Sequence, residues 1–144
     1  RNHRTTISKS EIAIVVILRI IRVGALFALP AVFLPYGWMN AIHGALGLGT
    51  LPEAPIVDYL AHSLSAFYFL FGVVTLYISR DVRRYRDLVT LWAILAGISG
   101  VLITGIDLAA GMPASWTITE GPPAVATAFL VLWLHRISPS PEMP

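Results

Sequence analysis

Cysteine is absent from this 144-residue chain, which excludes disulfides, thiolate metal sites and cysteine nucleophiles. Charge is nearly as scarce. Only 12% of the residues are Asp, Glu, Lys or Arg, where a soluble domain carries about a quarter. Lysine occurs once, as Lys9, and the other nine basic residues are arginine. No nucleophile elbow or His-Glu-x-x-His helix is present, and LGLGT at 46–50 follows no strand and lacks the lysine of a phosphate loop. The Glu-x-x-His pattern that holds paired iron atoms in helical bundles is missing as well. No complete catalytic set, resident metal site or nucleic-acid partner is expected, and the sequence points to no cofactor.

What fills the chain instead is apolar. Hydrophobic residues make up 56% of it and the mean hydropathy is +0.74. Four apolar segments stand out, at about 12–34, 56–78, 88–106 and 122–137. About 20 residues in a helix cross the hydrocarbon of a bilayer, so the second and third segments suffice outright. The fourth is shorter; its first residues, Pro122 and Pro123, suit a helix start, where a missing N–H costs nothing. The first segment contains Arg19 and Arg22, too much charge for a cleaved signal peptide, and is expected to stay as a helix. Pro30 and Pro35 should bend or end it. The expected fold is all-α, a four-helix transmembrane bundle over 12–137. A short segment (1–11) precedes it, and a disordered Pro- and Ser-rich tail (138–144) follows.

The basic residues give an orientation. Arg1, Arg4, Lys9, Arg19 and Arg22 lie at the start, Arg80, Arg83, Arg84 and Arg86 in the central turn, and Arg136 at the end of the last segment. With four crossings, all of them fall on one side. The connections 35–55 and 107–121 hold no Lys or Arg. The positive-inside rule then places both termini in the cytoplasm, consistent with a bacterial inner membrane. The cluster RDVRRYRD would meet anionic headgroups or a cytoplasmic partner through Arg80, Arg83, Arg84 and Arg86. Arg19 and Arg22, three residues apart, should snorkel to the same surface.

The carboxylates divide by the same topology. Glu53, Asp58, Asp107 and Glu120 fall at the outer end with His43 and His62, and no basic residue accompanies them. Asp58 and His62 are four apart, so their side chains can meet on one helix face. An ionisable group at membrane depth is costly without a partner and marks a candidate site. The alternative is local: Asp58 caps its helix and His62 bonds to it. Asp107 ends a stripe of small residues, Ala93, Gly97, Gly100 and Thr104, that would let a neighbouring helix approach closely. Glu120, just before Pro122, is expected to cap the fourth helix against its dipole. His43 sits in a segment read as a short interfacial helix, with Tyr36 and Trp38 as anchors at headgroup level, and Trp116 is a further anchor. The candidate ligand residues are therefore Asp58, His62, Asp107, Glu120 and His43.

The layout resembles a known group. An Arg pair opening a Gly-containing first helix (LRIIRVGALF), an Arg-bearing central turn and a Gly-x-Pro element (GMP) before an acidic residue are similar to the DoxX-like small bacterial membrane proteins. That resemblance implies four short helices and a possible redox or quinone association, and it transfers no catalytic residue. Three functions stay open. The chain is an accessory or structural subunit of a membrane complex, or it binds a quinone-like or lipid-like ligand or a metal at its outer end. The third is an enzyme acting on a lipid by acid–base chemistry there.

Overall fold

A computed structural model describes residues 7–138. Arg1, Arg4 and the expected tail from residue 139 lie outside the described residues. Six helices follow in order: α1 (Lys9–Leu26), α2 (Ala28–Ala31), α3 (Tyr36–Ala45), α4 (Pro55–Ile78), α5 (Arg86–Ala110) and α6 (Ala114–Ile137). Taken through the α1–α2 break, Lys9–Ala31 makes one long helical segment, and it, α4, α5 and α6 are each long and apolar enough to cross a membrane. No strand occurs among the described residues.

Local chemistry explains the ends. Ser8 opens α1 with a reciprocal cap: its Oγ accepts from the Glu11 amide at 3.2 Å and its own amide donates to Glu11 Oε2 at 2.7 Å. The break after Leu26 has a cause three residues on. Pro30 has no N–H for the Leu26 carbonyl and its ring crowds that group, so α1 stops there and α2 begins at Ala28. At the far end of α5, Gly111 takes a left-handed φ of 70° and closes the helix.

The last helix departs from expectation. It begins at Ala114, after Pro113, and runs through Pro122 and Pro123. Both prolines lie on the exposed face, so their rings meet no neighbouring helix. A proline's φ near −65° fits an α-helix; the loss is confined to the bonds that Ile118 and Thr119 carbonyls would accept. Glu120 is consequently inside α6 and caps nothing, which corrects its expected role.

Packing runs α4–α1–α6–α5. The broadest contact is α5 on α6, then α1 on α4, with α1 also touching α6. Consecutive α4 and α5 meet mainly through Trp92, which stacks on Phe71 at 5.6 Å and donates from Nε1 to Thr75 Oγ1 at 3.0 Å. The buried cluster of Ile14, Leu18, Ile78, Val82, Val89, Val131 and Leu134 lies toward the end that carries the termini. Large side chains such as Phe27, Phe33, Leu108 and Phe129 are more than two-thirds exposed, with relative exposures of 73%, 76%, 70% and 71%. Apolar surface on this scale suits lipid.

At that same end, Glu11 is buried and takes both its oxygens to Arg83, Nε to Oε1 at 2.6 Å and Nη2 to Oε2 at 2.7 Å. The carboxylate holds the Arg83 guanidinium even more firmly protonated than usual. Arg86 donates to the His135 carbonyl at 3.0 Å. Two of the four turn arginines are thus drawn into the fold, while Arg80 and Arg84 stay exposed.

The helices come closest where side chains vanish. A Cβ on Gly121 would lie 2.6 Å from the Gly100 carbonyl oxygen and against the Thr104 hydroxyl, and one on Gly100 would lie 2.7 Å from the Gly121 oxygen. Gly72 does the same for α4 against Ala25 of α1, at 2.9 Å. The small-residue stripe of α5 is therefore a true helix seam.

Gly121→Ala should cost about 1–3 kcal/mol of stability by overpacking, read as a lower thermal midpoint in detergent. Gly105→Ala, where nothing lies within 4 Å, should leave the midpoint unchanged. Arg83→Ala should lower the midpoint more than the double variant Arg83→Ala with Glu11→Gln. The single change strands a buried carboxylate, and the double change removes it.

Candidate functional site

The end of the bundle away from the termini carries Glu53, Asp58, Asp107 and Glu120, and the structure sorts them into two groups. The first is an open cleft of about 680 Å³ between the α2–α3 connection and the start of α4, lined by Phe33, Leu34, Pro35, Tyr36, Glu53, Ala54, Pro55, Asp58 and His62. Asp58 and His62 meet as their spacing requires, Nδ1 to Oδ2 at 3.5 Å. The helix cap expected of Asp58 is absent: Ala54 is the N-cap and no side chain caps α4. His62 does more than face Asp58. Its Nε2 donates to the Leu34 carbonyl at 3.1 Å, tying α4 to the turn after α2. A carbonyl only accepts, so Nε2 carries a proton in this bond.

The α3 segment supplies the opposite wall. Tyr36 donates from its hydroxyl to the Leu51 carbonyl, and the Leu51 amide donates to Asn40 Oδ1 at 2.8 Å. Desolvation, and then the charge of Glu53, raise the Tyr36 phenol above its ordinary value. It remains a neutral donor. His43 is not brought to this cleft. Its Nδ1 donates to the Gly49 carbonyl at 3.2 Å and helps fold the chain back over α3, where Gly47 and Gly49 have φ of 75° and 80°. Those left-handed turns favour glycine.

The second group lies between α4, α5 and α6. Tyr68 donates from its hydroxyl to Glu120 Oε1 at 3.3 Å. Asp107 is 6% exposed, and its Oδ2 is sealed from solvent with no hydrogen-bond partner among the described residues. Of the four residues expected to share one pocket, Asp58 meets His62, Glu120 meets Tyr68, and Asp107 is buried by itself. Only the first lines the cleft.

Sequence reasoning missed Tyr68, Glu53 as a cleft residue, and the Leu34 carbonyl. Tyr68 could have been found, since it lies on α4 within the same span as His62 and bears the one polar tip in AFYFLF. Among the described residues no three of His, Asp and Glu converge as a metal site would require. The chain matches no family model, no curated protein and no solved structure.

Chemically, the cleft presents acceptors. The Glu53 and Asp58 carboxylates face it, while the donors of Tyr36 and His62 are already engaged by backbone carbonyls. His62→Ala should free the 32–36 turn from α4. Amide hydrogen exchange there should then quicken relative to wild type, and His43→Ala should leave that turn's exchange unchanged while quickening residues 47–51.

Proposed function

We propose that this is an integral membrane protein that binds rather than transforms its ligand, an amphiphile seated in the cleft at Phe33–Tyr36 and Glu53–His62. The observation that carries this reading is the composition of that cleft. Apolar groups (Phe33, Leu34, Pro35, Ala54, Pro55) adjoin two carboxylates with no Lys or Arg among the lining residues. An apolar tail then meets the apolar wall while the head meets acceptors. The head is a donor or a cation, such as a primary amine. A quinone, whose carbonyls accept, finds no free donor in this cleft, so a lipid-like ligand is favoured over a quinone-like one. No nucleophile and general-base pair stands free to act on the ligand, which argues for binding over catalysis.

In this reading both termini are cytoplasmic and the membrane is a bacterial inner membrane, supported by the arginines gathered at the terminal end. Arg80 and Arg84, both exposed, then meet anionic headgroups or a partner.

A second reading, an accessory subunit of a membrane complex, is favoured by another surface. An apolar groove of about 400 Å³ runs along α5 and α6 past Ala93, Gly97 and Ala128, the small residues that admit a partner helix. The resemblance to DoxX-like proteins, whose namesake is similar to a subunit of a quinone-linked oxidoreductase, agrees with it.

A photoreactive amphiphile with a primary-amine head, added to the protein in phosphatidylcholine nanodiscs, should label residues 33–36 and 53–62. Combined Glu53→Gln and Asp58→Asn should cut that yield several-fold. Equal labelling along all exposed helix faces would refute the cleft. Crosslinks from Gly97 to another polypeptide in the native membrane would instead support the subunit.

A further inference from the structure

Helix α3 presents a problem that the bundle does not solve. It has ten residues, buries none of them, and has no share in the main helix–helix contacts. Helices shorter than about 12–15 residues are marginal in water on their own. This one carries Gly37 and Gly44, which weaken a helix, and no side chain caps its start. Something other than the bundle must cover it.

Its two faces differ. Tyr36, Asn40 and His43, spaced by four and three, share one face, and that face is closed by the chain itself. Tyr36 donates to the Leu51 carbonyl, Asn40 accepts from the Leu51 amide, and His43 bonds to the Gly49 carbonyl. Of the two expected anchors, Tyr36 is thus spent inside and Trp38 is free. Trp38 and Ile42, with Leu46 at the C-cap, recur every four residues on the other side and are 69%, 50% and 50% exposed.

No Asp, Glu, Lys or Arg occurs between Pro35 and Pro52, so α3 offers a protein partner no fixed charge. A stable protein interface buries about 800 Å² per partner, more than a ridge of three large side chains supplies. A membrane interface asks for less, since an amphipathic helix lies in it with its apolar face about 5–10 Å deep. That interface is within reach. Only residues 32–35 separate α3 from the spanning segment that ends at Ala31, and 46–54 from the span that opens at Pro55. The exposed Phe27 and Phe33 continue the apolar surface toward it.

We propose that Trp38, Ile42 and Leu46 seat α3 in the lipid surface at the end away from the termini, and that the bilayer thereby holds one wall of the cleft. Tyr36, the first residue of α3, lines that cleft, while Asp58 and His62 line it from α4. The one side-chain hydrogen bond from α4 to the stretch 32–51 is His62 to the Leu34 carbonyl. The α4 wall is fixed by the bundle, and the α3 wall by the depth at which lipid carries it. With no basic residue in the segment, the seat needs no anionic headgroup.

The test uses the full chain in phosphatidylcholine nanodiscs. It has no cysteine, so a single introduced one takes a nitroxide label. Labels on Ile42→Cys and Leu46→Cys should be relaxed more by oxygen than by a water-soluble nickel chelate. A label on Thr50→Cys, exposed on the return, should show the reverse. The distance between labels on Thr50→Cys and Tyr59→Cys, read by pulsed dipolar spectroscopy, should broaden and shift when Trp38→Ser and Ile42→Ser are added. The distance from Tyr59→Cys on α4 to Leu108→Cys on α5 should not. If the serine pair disturbs that control distance, Ile42→Ser alone carries the comparison. Chelate access at 42 and 46 equal to that at 50 overturns the proposal. So does shielding from both reagents, which would place a protein surface or a second copy there. A cross-cleft distance unmoved by the serines also overturns it, since the bundle would then hold the wall. No ligand enters these readouts, so they stand or fall apart from the amphiphile.

Discussion

The bidentate pair between Glu11 and Arg83 is the interaction on which the terminal half of the bundle depends. It joins the first turn of α1 to the turn between α4 and α5, across 72 residues of sequence. The same Glu11 carboxylate completes the Ser8 cap, so a single group begins the first helix and docks it. Around it, Ser138 at the end of α6 donates to Ser10 at 2.8 Å. Beneath it Ile14, Leu18, Ile78, Val89 and Val131 are buried. In an apolar surrounding a bidentate guanidinium contact is specific in direction as well as strong. It therefore sets the relative height of α1 and the α4–α5 hairpin, and through them where every other residue of those helices falls.

The other end is built differently. There the chain has no Lys or Arg with which to make such a pair, and contact relies on missing side chains. Gly121 against Gly100 brings backbones together there with no room for a Cβ, and Gly72, beside Phe71 and nearer the terminal end, does the same against Ala25. Two close pairs result, α5 with α6 and α1 with α4. Between them the bundle is held near its terminal end by Trp92 on Thr75 and Phe71. Further out, polar groups take over from packing: His62 reaches the Leu34 carbonyl and Tyr68 reaches Glu120. The cleft and the buried Asp107 both fall in this less tightly closed half. That is where a bilayer protein can hold a ligand without dismantling its core.

Much of this was legible in the sequence, for physical reasons. Hydrophobic length gave four spans. The proline at 30 announced the break after Leu26, the four-residue spacing brought Asp58 to His62, and the small-residue period of α5 marked its seam. The start of α6 was misplaced because prolines were read by their commonest position, the helix start. Their tolerance on an exposed face was not visible from one strand of sequence. That error carried Glu120 to a helix end, when it stands inside α6 facing Tyr68. The Glu11–Arg83 pair was half legible. The Ser-x-x-Glu cap was written plainly, but its partner 72 residues away was not, because pairing at that separation is decided by tertiary register. The grouping of four carboxylate and imidazole residues into one pocket failed for the same reason. Topology fixes which end a residue reaches, and only packing fixes which neighbour it meets there.

Charge asymmetry is what connects these observations. At the terminal end arginines outnumber acids, and one of them is used to close the fold. At the other end acids stand with no Lys or Arg at all, and Asp107 is buried there with one oxygen that has no hydrogen-bond partner among the described residues. The cleft argues for a positive group that arrives from outside the chain, since Glu53 and Asp58 have only one imidazole between them, and that imidazole is committed to a carbonyl. In the proposed reading its openness is what accommodates a ligand with a tail, while the tightly closed glycine seam leaves no such room.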